Sequence, residues 1–478
     1  MVLKRLVADY GRSYLSLLAT MYFGVKGYSA GVLKSVALPF FQRIHRVALA
    51  DFHKMYIVAM VMPWCLKPLA GVLSDLVPIF NYRKKAYVVM CGVVGAVCTV
   101  LIASDEWDSR QAMALFSIVS TCIMMSDLLL EASYSEQLQK PGVIRLSNNL
   151  IVTYVFTLML IGATLGAIVV GTQADKGLIT QVIWSAAPSF CVLSVMATIG
   201  MIPEAKTWVS WQTVKPRLNL VTLCLVLSVS AATGGMTLFY WHPSTQLALM
   251  AFLSIIVILT SFATLPPTLA SCNTFLFLAE ALRVDLTGAT AYFYTDECIG
   301  TPNFSFTFFT SWSTLLGSIF GLGGVALFQK IQHNTLRQIF VGLTVAQCMA
   351  ASMELAQTTR FNLTLGIDDE LMYVLGETII GPTIQMMYYL PMFILTSRLV
   401  EQGSEALTYA ILAGTQNFGA MVATTMGNFF IWHYNIGDCN FAKLPVGILV
   451  GKMVLPILIV PMAYVFLPDV RLKQPGAI

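Results

Sequence analysis

Charge is what this sequence has least of. Asp, Glu, Lys and Arg make up 11% of its 478 residues, while 57% are hydrophobic. Soluble globular chains run near ~25% charged, so a water-facing globule is excluded and a polytopic membrane protein is expected. Other absences narrow the chemistry. The ten cysteines include no CxxC pair and no zinc spacing, and most read as small buried hydrophobes. The five histidines (His45, His53, His242, His333, His433) are read as loop or helix-end residues, and HExxH is missing. That speaks against an intramembrane metalloenzyme. No nucleophile–base pairing lies within the apolar stretches, so an enzyme, a metal and a resident cofactor are not expected. A net charge of +4 is too small to call for nucleic acid. The opening segment MVLKRLVADYGRSY has basic residues but no short apolar core ending in a small-residue cleavage site, so it reads as retained and cytosolic.

What is there is a long succession of apolar runs. A helix needs ~20 apolar residues to cross ~30 Å of hydrocarbon. Fourteen stretches meet that length: 15–38, 52–74, 86–104, 111–133, 148–171, 179–202, 218–240, 246–265, 272–294, 304–328, 335–356, 371–397, 408–432 and 446–467. With both termini cytosolic, the segments on that side hold sixteen of the 28 Lys and Arg, and the opposite segments hold seven. This is the positive-inside asymmetry, and an odd number of spans would break it.

The spacing predicts an all-α chain in a six–two–six arrangement. It comprises a cytosolic segment (1–14), a six-helix bundle (15–203), a basic linker (204–217), an extra hairpin (218–267), a second six-helix bundle (268–467) and a cytosolic tail (468–478). Both bundles open with a central cation, Lys26 or Arg283, and an aromatic-rich exit, LPFF at 38–41 or YFYT at 292–295. A repeat-built transporter with its site near the midplane between repeats would look like this.

A charged side chain at the bilayer centre costs ~2.5–3.5 kcal/mol, so each one needs a reason. Lys34 reads as snorkelling to the surface, Glu354 and Lys452 as interfacial, and Glu131 as a partner of the Arg83-Lys84-Lys85 loop. Lys26, Lys67 and Arg283 lie deep in their spans and are expected to face a cavity, with a Glu280–Arg283 pair at i, i+3 as the alternative. Pro63 and Pro68 flank Lys67 and deprive the carbonyls of Ala59 and Trp64 of their helical donors. A kink with free carbonyls beside a lysine is tolerated where polar contacts or water are present.

The next residues, GVLSDLVPIFNYRKK (71–85), resemble the loop between the second and third helices of the major facilitator superfamily. That resemblance makes Asp75, Arg83 and Lys84 gating candidates, with Glu131 beside them. Further stretches resemble the folate–biopterin transporter family, a branch of that superfamily, and its kinetoplastid members most. These are KGYSAGVLKSVALPFF (26–41), PWCLKPLAGVLSD (63–75), DLLLEASYSE (127–136), Pro203-Glu204, AYFYTDECIGTPNFSF (291–306) and TQNFGA (415–420).

The resemblance implies a major-facilitator-like fold and secondary uptake of folate or pteridines by alternating access, coupled to protons, in a monomer of the plasma membrane. Folate has two carboxylates, which Lys26, Lys67 and Arg283 could receive. Asp127 is the first choice for the aminopyrimidinone edge of the ring or for the coupling proton. Asp285 and Glu377 are the other coupling candidates, since a carboxylate in a partly dry site holds its proton more readily. Gln385 and Asn417 are candidate hydrogen-bonding partners of the substrate, or else bonds between helices. The Gly381-Pro382 pair predicts a bend before Gln385. Asn362-Leu-Thr is a candidate glycosylation site on the outer side, and Cys298 and Cys439, both in outer loops, are candidates for a disulfide. Two alternatives stay open: carriage of S-adenosylmethionine, whose cation would favour Asp127, Glu280 and Asp285, and a sensor that does not transport. A channel would need a ring of one residue type or a filter loop, and neither is present in the sequence.

Overall fold

The structure is a computed structural model, and it describes residues 2–104, 106–138, 145–206, 218–399, 405–469 and 471. The predicted linker from 207 onward, and nearly all of the tail beyond 469, lie outside the described residues. The described chain is helical apart from three isolated bridges. Among the described residues nine helices are long and apolar enough to cross a membrane, and a bent pair, Leu49–Cys65 with Lys67–Leu76, makes ten. Both arms of the hairpin, Leu218–Thr237 and Pro243–Thr264, are among them. The four remaining predicted stretches are helical too, but they are the more polar or interrupted ones.

One of these corrects the sequence reading. The stretch 272–294 is not continuous: helix Pro267–Ala281 stops, and a new helix begins at Thr287. The unwound backbone between them is satisfied from neighbouring helices. Val284 N donates to Gly451 O at 3.2 Å and Asp285 N to Ala423 O at 3.2 Å. Irregular backbone at membrane depth is tolerated only when it is bonded in this way. By contrast, the segment around Gly381-Pro382 stays helical, with the π-helical stretch Val374–Ile380 immediately before it.

The chain divides into two compact units, Met1–Arg46 with Lys67–Leu218, and Val47–Leu66 with Asn219–Ile478. In the first unit the π-helical stretch Thr20–Ser29 lies against helix Arg145–Ala174. Glycines make that approach possible, since a Cβ on Gly27 would sit 3.0 Å from Met159 O and 3.1 Å from the Gly162 Cα. Leu17, Leu18, Phe40, Phe116 and Phe190 fill the rest of this interior.

In the second unit the hairpin is not a separate body. Leu227, Ala231, Met250 and Val257 pack in one apolar cluster with Ile57, Cys65, Phe277, Phe418 and Met421. In lipid such contacts act through close packing rather than escape from water. The hairpin's own polar group is satisfied internally: Gln246 donates to Gly234 O at 2.6 Å and accepts from the Thr237 hydroxyl at 2.8 Å.

Candidate functional site

In the first unit the deep charges converge. Lys26 stands on the π-helical stretch Thr20–Ser29, a distortion that often marks functional positions. Lys67 opens the helix that follows the proline-induced break. Asp127 and Glu131 project one turn apart from helix Ser109–Leu138. Asp127 is fully buried, accepting from Lys26 at 2.7 Å on Oδ1 and from Lys67 at 3.2 Å on Oδ2. Lys67, itself 6% exposed, also donates to Glu131 Oε2 at 3.1 Å.

The sequence reading chose Lys26, Lys67 and Asp127 for separate tasks; they are one network. It also expected Glu131 to pair with the loop at 83–85. Glu131 bonds Lys67 instead, and Glu136 takes Lys84 at 2.5 Å. The reason is reach: Glu131 lies one turn deeper than that loop allows, level with Lys67.

Beside this network is a small depression lined by Tyr22, Lys26, Glu131, Tyr134, Val155, Phe156 and Met159. Lys26 sits 5.5 Å from the centre of the Tyr22 ring. The buried Tyr22 hydroxyl has no hydrogen-bond partner among the described residues. An apolar, aromatic-walled hollow with a few convergent polar groups is what a small-molecule site requires.

The loop that holds the gating candidates belongs to the same unit. Asp75 is half-buried at the end of helix Lys67–Leu76, and Phe80 and Asn81 take positive φ in the tight turn that follows. The backbone N–H groups of Arg83, Lys84 and Lys85 all donate to the Glu204 carboxylate, at 2.6, 3.0 and 2.8 Å. Glu204 thus caps the positive end of helix Lys85–Ser104. Sequence reasoning noted Pro203-Glu204 only as a boundary.

The second unit keeps its charges apart. Arg283, at the C-terminal end of helix Pro267–Ala281, lies 3.9 Å from Glu280 and stacks 4.7 Å from the Tyr388 ring centre. Its Nη1, the atom nearest Glu280, makes no hydrogen bond among the described residues. Gln416 donates to Glu280 at 3.1 Å. Asp285 accepts from Thr287 N at 2.8 Å and from the Thr424 hydroxyl at 3.3 Å, which starts the second half-helix. His53, read as a loop or helix-end residue, is buried in helix Leu49–Tyr56 with Nε2 2.9 Å from Thr424 O.

Asn417 meets the very carbonyl that Pro68 frees, donating to Trp64 O at 3.1 Å. Gln385 is exposed and donates to the Tyr389 hydroxyl at 3.3 Å. Glu354 and Lys452 were expected at the membrane surface. Glu354 is instead 3% exposed and Lys452 donates to both its oxygens at 2.7 Å. Ninety-eight positions separate the two, so no local pattern announced the pair.

In the loops, Cys298 and Cys439 form a disulfide with Cα atoms 5.5 Å apart. Asn362 does not suit a glycan. It is 0% exposed, and its amide nitrogen donates to Ile367 O at 3.1 Å and to Asp369 at 2.9 Å.

Known proteins resemble this chain along most of its length. A folate-biopterin transporter from Synechocystis sp. is 24% identical over 82% of this chain and 70% of its own. Probable folate-biopterin transporter 6 of Arabidopsis thaliana is 23% identical over 94% of this chain and 82% of its own. Folate transporter 1 of Plasmodium falciparum is 19% identical over 81% and 67%. Among solved structures, an auto-inhibited POT family peptide transporter is 9% identical, with a TM-score of 0.69, covering 97% of this chain and 99% of that one. The nucleoside transporter NupG is 14% identical, with a TM-score of 0.58, over 95% and 97%. The fold is therefore all-α and of the major-facilitator type, in an integral membrane protein. Residues 26–475 match the BT1 family, and the chain belongs to that family.

Proposed function

We propose that this chain is a secondary transporter that takes up pterins and folate by alternating access, coupled to protons, with both termini in the cytosol of a cell whose plasma membrane it spans. The names of its relatives support the substrate class, and the excess of Lys and Arg in alternate loops supports the orientation.

One observation carries the reading: Lys26 and Glu131 share a wall of the aromatic-lined depression in the first unit. A pterin presents, along one edge, a carbonyl oxygen that accepts beside ring and amino N–H groups that donate. Lys26 would donate to the oxygen and Glu131, which gives only Oε2 to Lys67, would accept from the N–H groups. Asp127 is less suited to that edge because both its oxygens are engaged. Its role in this reading is to hold Lys26 and Lys67 in place. As it stands the hollow is far smaller than the ~300–1,000 Å³ of sites that enclose a drug-sized ligand, so it must widen to admit a pterin. Widened, it would set the bicyclic ring against Tyr22, Tyr134 and Phe156. In the second unit, Arg283 would have to exchange its contact with Glu280 for a carboxylate such as those of folate.

The test is uptake of labelled biopterin and folate by cells expressing the wild type, Lys26→Met and Glu131→Gln, with unlabelled S-adenosylmethionine as competitor. Losing one charge-assisted hydrogen bond, worth ~1.5–3 kcal/mol, should raise the KM for both pterin compounds at least about tenfold. Competition by S-adenosylmethionine alone would replace this reading with the sulfonium substrate. Absence of any uptake by correctly inserted protein would leave the sensor.

A further inference from the structure

The second unit contains an acidic group that the network geometry leaves over. Asp127, Glu131, Glu280, Asp285 and Glu354 each have a bonded partner within the membrane. Glu377 has neither a hydrogen bond nor an ion pair among the described residues, and it is half-buried. An ionised carboxylate without a bonded cation at that depth is costly.

Its position is well defined. Glu377 stands on the π-helical stretch Val374–Ile380, and Lys452 stands on another, Leu449–Val454. Such widened turns redirect side chains and are concentrated at functional positions. A Cβ on Gly376 would sit 3.0 Å from the Met353 Cβ, which pins the residue before Glu377 to the residue before Glu354. Glu377 therefore shares an electrostatic environment with Glu354 and Lys452, and with the phenol groups of Tyr294 and Tyr373. Asp285 also acts on Lys452. One ammonium thus acts on both a bonded carboxylate and an unbonded one.

We infer that Glu377 carries the coupling proton, with the Lys452–Glu354 pair as its charge partner. This rests on the transporter reading above but not on which pterin is carried. The carboxylate takes one proton from water on the proton-rich side, and Lys452 then stays with Glu354 alone. Release of that proton to water on the other side restores a second anion, and the ammonium is shared between two carboxylates. One proton crosses per cycle and no other bond changes. The two protonation states thereby favour two arrangements of Lys452, a two-state element of the kind that coupling needs.

The test uses the purified full chain in proteoliposomes with labelled biopterin and folate. It compares accumulation driven by a pH gradient with counterflow exchange at equal pH. At one proton per substrate, one pH unit supports about tenfold accumulation of a neutral pterin. Glu377→Gln should accumulate none while exchanging within about twofold of wild type, and its exchange should lose its pH dependence. Glu377→Asp should restore driven accumulation. Wild-type accumulation by Glu377→Gln would overturn the inference, as would joint loss of exchange and accumulation in both variants. Wild type that exchanges neither compound would sink the transport reading instead.

Discussion

In the first unit two ammoniums and two carboxylates hold one another through three ion pairs, whereas in the second the deep charges stand in separate pairs around a broken helix. Lys67 touches both acidic side chains and Asp127 touches both lysines, so no member of the first set changes state alone. Arg283–Glu280 and Lys452–Glu354 have no such shared member, and Glu377 remains over. A closed network presents fixed donors and acceptors to a ligand. The divided one leaves Glu377 without an ion pair of its own among the described residues.

The contrast is broken or sharpened first at Asp127. Removing one member of a buried ionic set costs ~3–5 kcal/mol, because a charge is left uncompensated. Asp127→Asn should therefore lower the thermal stability of the purified protein sharply and abolish uptake. Glu377→Gln should leave stability near that of wild type. Equal losses in a melting assay would erase the difference between the units.

Next comes the covalent tie found only in the second. Cys298→Ser opens a loop with a sequence separation of 141 residues and should cost ~2–5 kcal/mol. A melting temperature unchanged by Cys298→Ser, and by reductant in the wild type, would show that the helices hold that unit unaided. The smallest effect is expected at Asn417. Its replacement by Leu removes the hydrogen bond to the Trp64 carbonyl, at about 0.5–1.5 kcal/mol. It should reduce stability without changing the KM for biopterin, and a large rise in KM would return Asn417 to the substrate-binding set.

Much of this was legible in the chain. Apolar length marked the stretches that became helices, and the prolines around Lys67 foretold both a break, bent by 44°, and a carbonyl in need of a donor. Of the residues singled out at depth, Lys26, Lys67 and Asp127 converge, whereas Arg283, Gln385 and Asn417 find other partners in the second unit. What stayed hidden were partnerships over long separations. Nothing near Lys452 names Glu354, and nothing near Arg83 names Glu204.

The break at Leu282–Leu286 was missed for a different reason. Hydropathy averages over a window, and a short polar interruption between two apolar runs leaves the average high. The local signal was present as Arg283, a cation closing one helix, followed by Asp285 and Thr287, where a carboxylate caps the next. The π-helical turns under Lys26, Glu377 and Lys452 left no mark in the apolar spacing at all.

The Glu204 cap has a mechanical consequence. Three successive amides at the start of helix Lys85–Ser104 end on one carboxylate that follows helix Ala187–Thr198 by only a few residues. A rivet of this kind couples the early turn to the late helix, so neither can swing without dragging the other. Any force delivered to that face of the first unit is then spread through its whole frame rather than absorbed at a soft corner.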